Sequence, residues 1–173
     1  MTSEILIVDD NSGDGTKTTV DNIQRIDPHL IFLQRESRLG LGSAHKLIKH
    51  YSVRRGYKRL VTLDADLSHS PEDIPSLVSL CQDNTFVIGS RYIKGGRCQM
   101  SGYRLWLSVY GNKLIKNLLN INCNEFTTSY RGFNLKKLKN FNLNIVSSKG
   151  YSFFMETVYQ IHKKKNLIKE IPI

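Results

Sequence analysis

Cysteine is scarce in this chain and badly placed for cross-linking. Cys81, Cys98 and Cys123 are an odd number, widely spaced, with no Cys-x-x-Cys pair among them. That argues against a disulfide frame or a zinc site and predicts reduced thiols in a cytosolic compartment. Long apolar runs are missing too: every stretch falls far short of the roughly 18 residues a membrane span requires. The N-terminus shows no basic region followed by an apolar block, so the expectation is a soluble, unexported chain. No internal repeat or low-complexity linker divides the 173 residues. The length suits one domain with a core flanked by two helical layers. Hydrophobic residues at 40% against 23% charged are ordinary for a globular protein and weigh against wholesale disorder.

Positive charge, by contrast, is abundant. There are 25 Lys and Arg against 15 Asp and Glu, a net charge of +10, concentrated after Arg91 and notably at Lys136-Lys137, Lys139 and Lys163-Lys164-Lys165. Such an excess serves nucleic acid, anionic lipid or phosphorylated small molecules equally well. Taken singly, each cluster reads most simply as a solvated helix end.

Strand-like runs at residues 4–9, 30–34, 59–64 and 85–89 alternate with helical patterns, the βαβ signature of a mostly parallel sheet. A helix near 16–26 carries Val20, Ile23 and Ile26 on one side and must stop before Pro28. The next, about 42–55, carries Ala44, Leu47, Ile48 and Tyr51 and ends near Gly56. Ser70-Pro71-Glu72-Asp73 offers an N-cap, a proline at the first helical position and an acid at the third. Ile74, Leu77, Val78 and Cys81 follow at helical spacing. Gly95-Gly96 marks a loop. Beyond it lie an amphipathic pattern at 103–120 with Leu107, Tyr110, Leu114 and Leu118 on one face, a helix over about 151–164 and a last strand at 167–173.

Two acidic doublets close two of the strand-like runs. Ile5-Leu6-Ile7-Val8 leads into Asp9-Asp10, and Leu60-Val61-Thr62-Leu63 into Asp64-Ala65-Asp66. Arg35 and Arg38 follow the second run, and Ser90-Arg91 the fourth. Parallel α/β sheets bind ligands at the carboxyl ends of their strands, and this pattern delivers charge from all four to one edge. Asp-x-Asp brings two carboxylates to one hard divalent ion and leaves coordination positions for phosphate oxygens, as Mg²⁺ or Mn²⁺ requires. Arginines beside them suit the rest of a nucleotide diphosphate, through bidentate guanidinium contacts. Asn11-Ser12-Gly13-Asp14-Gly15-Thr16 is a turn opening a helix, whose amides attract anions.

These motifs, in order, resemble glycosyltransferase family 2 with the GT-A (Rossmann-like) fold, and within it the dolichyl-phosphate or polyprenyl-phosphate mannosyltransferase branch. The resemblance runs through Val8 to Thr16, Arg38-Leu39-Gly40-Leu41-Gly42-Ser43-Ala44 and Asp64 to Glu72. It continues through Gly89-Ser90-Arg91-Tyr92, the stretch from Arg104 to Asn112, Thr127 to Phe133, and Gly150-Tyr151-Ser152-Phe153 with Glu156. It implies a single catalytic domain over 1–173, with helices on both faces of the sheet. Asp9, Asp10, Gly40, Gly42 and Asp64 would bind the nucleotide sugar, and Asp64, Asp66 and Ser68 would hold a Mg or Mn cation. Arg91, Arg104, Ser108 and Arg131 would grip the acceptor phosphate, with Asp66, Arg91 and Arg131 carrying the catalysis. The implied donor is GDP-mannose or another sugar nucleotide, and the acceptor a polyprenyl or dolichyl phosphate. Inversion at the sugar C1 is implied, at the cytosolic face of a membrane that the protein touches peripherally, with a possible membrane-anchoring subunit and no nucleic acid.

The chain departs from that family in three respects. A first strand ending in Pro-x-Tyr-Asn-Glu usually precedes the segment that begins here at Met1, and a basic loop usually follows beyond Ile173. Glu125 stands where Asp is usual. The expectation is a domain incomplete at both ends, with a non-catalytic or split-subunit remnant, or a transferase using another hexose, as alternatives. Receiver domains and haloacid-dehalogenase phosphatases also place an acid after a strand. However, Asp66-Leu67-Ser68-His69 replaces the turn a receiver needs, and Asp-Ala-Asp lies mid-chain where the phosphatase motif should lead.

Overall fold

In the computed structural model, residues 3–83, 86–138 and 141–173 are described. Thr85, at the start of the expected fourth strand, and Lys139 lie outside them. The described residues form β1 (Ile5–Asp9), α1 (Thr16–Gln24), β2 (Leu30–Gln34), α2 (Leu41–Arg54), β3 (Arg59–Thr62) and, after a 3-10 turn at Pro71–Asp73, α3 (Ile74–Asp83). They continue with β4 (Phe86–Ser90), α4 (Gly102–Leu119), β5 (Arg131–Asn134), α5 (Ser152–Lys163) and β6 (Ile168–Pro172). None of these helices is long and apolar enough to cross a membrane.

The strands form two sheets. β1 and β2 pair in parallel, with Asp9 opposite Gln34. The other sheet has the order β3-β5-β4-β6. β4 and β6 are parallel, whereas β5 runs antiparallel to both β3 and β4. The α/β reading and the alternation therefore hold, while the sheet is more mixed than the pattern predicts. The reason is β5, four residues (Arg-Gly-Phe-Asn) with no apolar run to mark them as a strand. α2 packs against both β1 and β3 and so bridges the two sheets.

β4 is buried along its whole length. Its side chains alternate between faces, as a pleated strand requires. Phe86 and Ile88 enter a large cluster with Phe126, Phe133, Phe153, Phe154, Val158 and Ile161, while Val87 enters a smaller one with Leu77, Cys81, Tyr130 and Ile171. The central strand is thus covered by α5 on one face and α3 on the other. Gly132 on β5 is required by this packing, because a Cβ there would overlap Cys81 Sγ.

The cap at Ser70 forms as expected, its hydroxyl accepting from the Glu72 amide at 3.2 Å, a contact worth ~1 kcal/mol. Two helical faces differ from the pattern. On α1 only Val20 is buried and Ile23 is 42% exposed, while Ile26 lies past the helix end and is 84% exposed. On α2 the most buried side chains are His45, Lys49 and Ser52, and the predicted apolar face at Ala44, Leu47, Ile48 and Tyr51 is only half-buried. Lys49 and Lys46 lie on the inward side because their ammonium groups donate to the carbonyls of Phe141 and Val146.

Candidate active site

The carboxyl ends of β3 and β4 and the segment leading into β5 meet at one edge. Thr62, the last residue of β3, is buried and donates its hydroxyl to the Ser129 carbonyl at 2.7 Å, which fixes where the Asp64-Ala65-Asp66 loop begins. Asp64 is half-exposed and Asp66 exposed. The Asp66 carboxylate accepts the Ser68 amide at 3.0 Å. Hydrogen bonding from Ser68 holds that carboxyl below its ordinary range. Leu67 between them is 93% exposed and has a φ of 65°, a left-handed conformation that costs a residue with a Cβ about 1 kcal/mol or more.

Across this loop stands Arg91, delivered by the end of β4. Its guanidinium donates to the fully buried Glu125 carboxylate at 2.9 and 2.8 Å and to the Thr127 hydroxyl at 3.2 Å. Burial opposes its charge, yet the neighbouring Glu125 holds its pKa above the ordinary value. Glu125 in turn accepts the amide and hydroxyl of Thr127. Arg91 also lies over the Tyr92 ring, 5.2 Å from its centre, and the Tyr92 hydroxyl meets that of Ser108 on α4 at 2.5 Å. Arg104, exposed, lies one helical turn before Ser108. Three of the four expected phosphate-gripping residues therefore share a neighbourhood.

The fourth does not. Arg131 is 1% exposed, and its guanidinium donates to the carbonyls of Thr128, Phe154 and Phe126 at 2.7, 3.0 and 2.9 Å. The rings of Phe154 and Phe86 flank it at 4.6 and 5.6 Å. Burial pulls its pKa down to about 9, against which Cys123 and Glu125 act. Each of its three nitrogens donates one hydrogen bond to a backbone carbonyl. In this structure Arg131 ties together the carbonyls of Thr128, Phe154 and Phe126, whereas the resemblance implies a grip on the acceptor phosphate.

Asp9 and Asp10 stand in a second cluster, at the ends of β1 and β2. Asp9 is buried and accepts the Ser12 amide at 2.9 Å. Asp10 pairs with Arg35. Arg35 donates onward to the Ser43 hydroxyl at 2.5 Å and the Gly40 carbonyl at 3.4 Å, tying both strand ends to the start of α2. Gly40 caps α2 at a φ of 84°, which a side chain would strain. Gly42 has a packing reason for its lack of side chain, since a Cβ there would lie 2.8 Å from the Phe153 ring. No motif marks Glu125 with Thr127 as the anchor of Arg91, because those residues lie 34 and 36 positions away, or Ser43 as the anchor of Arg35, because the turn between them sets the contact.

No group of three His, Cys, Asp or Glu side chains fit to hold a metal occurs among the described residues. Asp64 and Asp66 alone offer hard oxygen donors on an accessible loop, so a Mg²⁺ or Mn²⁺ ion there would need further oxygen ligands from elsewhere, as a diphosphate could supply.

A mixed α/β sheet with acids and an anchored arginine at its strand ends is an arrangement suited to a phosphorylated ligand. The comparisons make this specific. The sequence signature of Glycosyl transferase family 2 matches residues 1–141, and the chain belongs to that family. It is 34% identical over 172 residues to an undecaprenyl-phosphate mannosyltransferase of Micrococcus luteus, covering 99% of this chain and 71% of that protein. It is 35% identical over 172 residues to a polyprenol monophosphomannose synthase of Mycolicibacterium smegmatis, covering 98% of this chain and 65% of that one. The chain thus spans about two thirds of the length of these relatives. Glucosyl-3-phosphoglycerate synthase from Mycobacterium tuberculosis, at 17% identity, shares the fold with a TM-score of 0.60 over 98% of this chain and 58% of its own.

Proposed function

We propose that this family 2 transferase moves a mannosyl group from GDP-mannose to a polyprenyl phosphate, with inversion at C1, on the cytosolic surface of a membrane. What carries the reading is the meeting of two groups at one edge, in a chain whose relatives are named for polyprenyl-phosphate mannose synthesis. The Asp64-Ala65-Asp66 loop follows β3 and Arg91 follows β4, two strands whose carboxyl ends lie at one edge of the sheet, and Arg91 is locked by Glu125 and Thr127. Asp64 and Asp66, with Ser68 beside them, would hold Mg or Mn, which supplies charge neutralisation to the donor diphosphate. Asp9 and Asp10, with Gly40, would border the nucleoside. Arg91, Arg104 and Ser108 would receive the acceptor phosphate.

A phosphate monoester has a second pKa near ~6, so at neutral pH it is mostly dianionic and attacks without a general base. Positioning and charge neutralisation then account for most of the acceleration. The α4 face formed by Tyr103, Trp106, Leu107, Tyr110, Leu114 and Leu118 is more than half exposed at every position. Arg104 and Lys113 flank it, as expected of a helix resting on an anionic lipid surface beside such an acceptor.

The test is calorimetry of GDP-mannose with Mn²⁺, together with transfer of labelled mannose to a polyprenyl phosphate. The wild-type protein should bind the donor only with the cation and load the lipid. Asp66→Ala should lose both. Undiminished affinity in Asp66→Ala would remove the aspartate from the site, and preferential transfer from UDP-glucose would move the donor assignment.

A further inference from the structure

The Asp64–Asp66 loop is held in place by a residue outside the expected site. The Asp64 amide donates to His69 Nδ1 at 3.1 Å. An amide only donates, so Nδ1 must carry the lone pair and the ring proton sits on Nε2. From there it points to the Thr128 hydroxyl at 3.3 Å, which also accepts the Tyr130 amide at 3.1 Å. The imidazole is only 9% exposed and lies against the Tyr130 ring, 4.9 Å between centres at 38°. The Tyr130 hydroxyl then donates to the Ser70 carbonyl at 2.6 Å, closing the loop behind His69. One neutral ring thus joins the backbone at the first aspartate to the segment from Glu125 to Tyr130 that anchors Arg91.

We propose that His69 is a positioning residue: as the Nε2–H tautomer it latches the Asp64–Asp66 loop onto the 125–130 segment and thereby sets the two carboxylates for the cation and donor diphosphate. This rests on the function proposed above. Three features require such a latch. The loop is exposed from Ala65 to Ser68 and cannot be fixed by packing. Leu67 adopts its left-handed conformation between Asp66 and Ser68, two of the three expected ligand positions, and such strain persists only where surrounding contacts over-determine it. In addition, the hydrogen bond to Asp64 is made to its backbone amide, and the same Nδ1 stands 4.0 Å from a carboxylate oxygen of Asp64, outside hydrogen-bond reach.

The variants His69→Ala, His69→Asn and His69→Gln separate the latch from simple packing. An Asn oxygen reaches the position of Nδ1 and keeps the bond to the Asp64 amide. A Gln amide reaches that of Nε2 and keeps only the contact with Thr128. Outer-shell partners of metal ligands typically contribute 10- to 100-fold in metal affinity. His69→Ala and His69→Gln should therefore weaken Mn²⁺-dependent GDP-mannose binding by roughly 10-fold or more, with faster hydrogen exchange at the Asp64 amide. His69→Asn should stay near wild type in both readouts. Thermal unfolding confirms that each variant is folded. Wild-type affinity in folded His69→Ala, or equal losses in Asn and Gln, would overturn the latch. A wild-type protein that binds neither Mn²⁺ nor GDP-mannose would instead overturn the proposed function, a result the exchange measurement distinguishes because it needs no ligand.

Discussion

Arg91 and Arg131 look equivalent as motif residues, yet their surroundings separate them. Arg91 keeps 27% of its side chain exposed, with Glu125 anchoring one side of the guanidinium. Arg131 has three carbonyl partners and no outlet. Removing it leaves buried acceptors unpaired at about 1–3 kcal/mol each. Arg131→Met should therefore lower stability by more than ~3 kcal/mol, read as a shift in the urea midpoint. A folded variant of wild-type stability that fails only in acceptor use would restore the phosphate-gripping role. The motif could mark Arg131 as important but not distinguish a contact with substrate from one with the chain itself. That difference depends on Thr128, Phe154 and Phe126, which no spacing rule brings together.

At the scale of elements, the legible parts were those with strong local chemistry. Ser70-Pro71-Glu72 places a helix start through capping alone, and the branched run at β4 announces a buried strand. β5 was illegible because its pairing is tertiary: Gly132 is there for Cys81, and Arg131 for three distant carbonyls. The faces of α1 and α2 failed for a related reason, since helical periodicity finds an apolar stripe without showing what covers it. α4 shows this most clearly. An apolar stripe of this kind suits a buried face as well as an open one, and the structure turns it outward, with the Trp106 and Tyr110 rings 4.5 Å apart and tilted at 37° on the open side. Since Leu107 is 57% and Leu114 59% exposed, Leu107→Glu with Leu114→Glu should change folding stability by no more than ~0.5 kcal/mol per site. The same pair should abolish co-sedimentation with vesicles containing anionic lipid. Unchanged vesicle binding would show that another surface meets the membrane.

Over the whole molecule, charge and burial divide the labour. Through Arg91 the sequence holds 11 Lys and Arg against 12 Asp and Glu, and after it 14 against 3. The half that carries the proposed metal loop is nearly neutral, whereas the half that carries α4 is strongly basic, as a protein attracted to anionic lipid requires. Burial sets a different global property, the response to acid. His45 is 8% exposed, packed between Phe153 and Phe154 at 5.8 and 5.0 Å. Burial, aided by Arg131, lowers its pKa from 6.5 to about 4. The folded state therefore resists a proton that the unfolded chain accepts, so the unfolded state binds more protons between those two values and stability must fall as pH falls through that window. The contribution is complete above pH ~6.5 and erodes towards pH ~4. Between pH 7.5 and pH 5 it amounts to about 2 kcal/mol, at 1.36 kcal/mol per unit over roughly 1.5 units below 6.5. The urea midpoint of the wild-type protein should drop accordingly. In His45→Leu the drop should shrink by that amount, even if the variant starts from a different stability at neutral pH. An equal drop in both proteins would show that His45 is not what acid titrates.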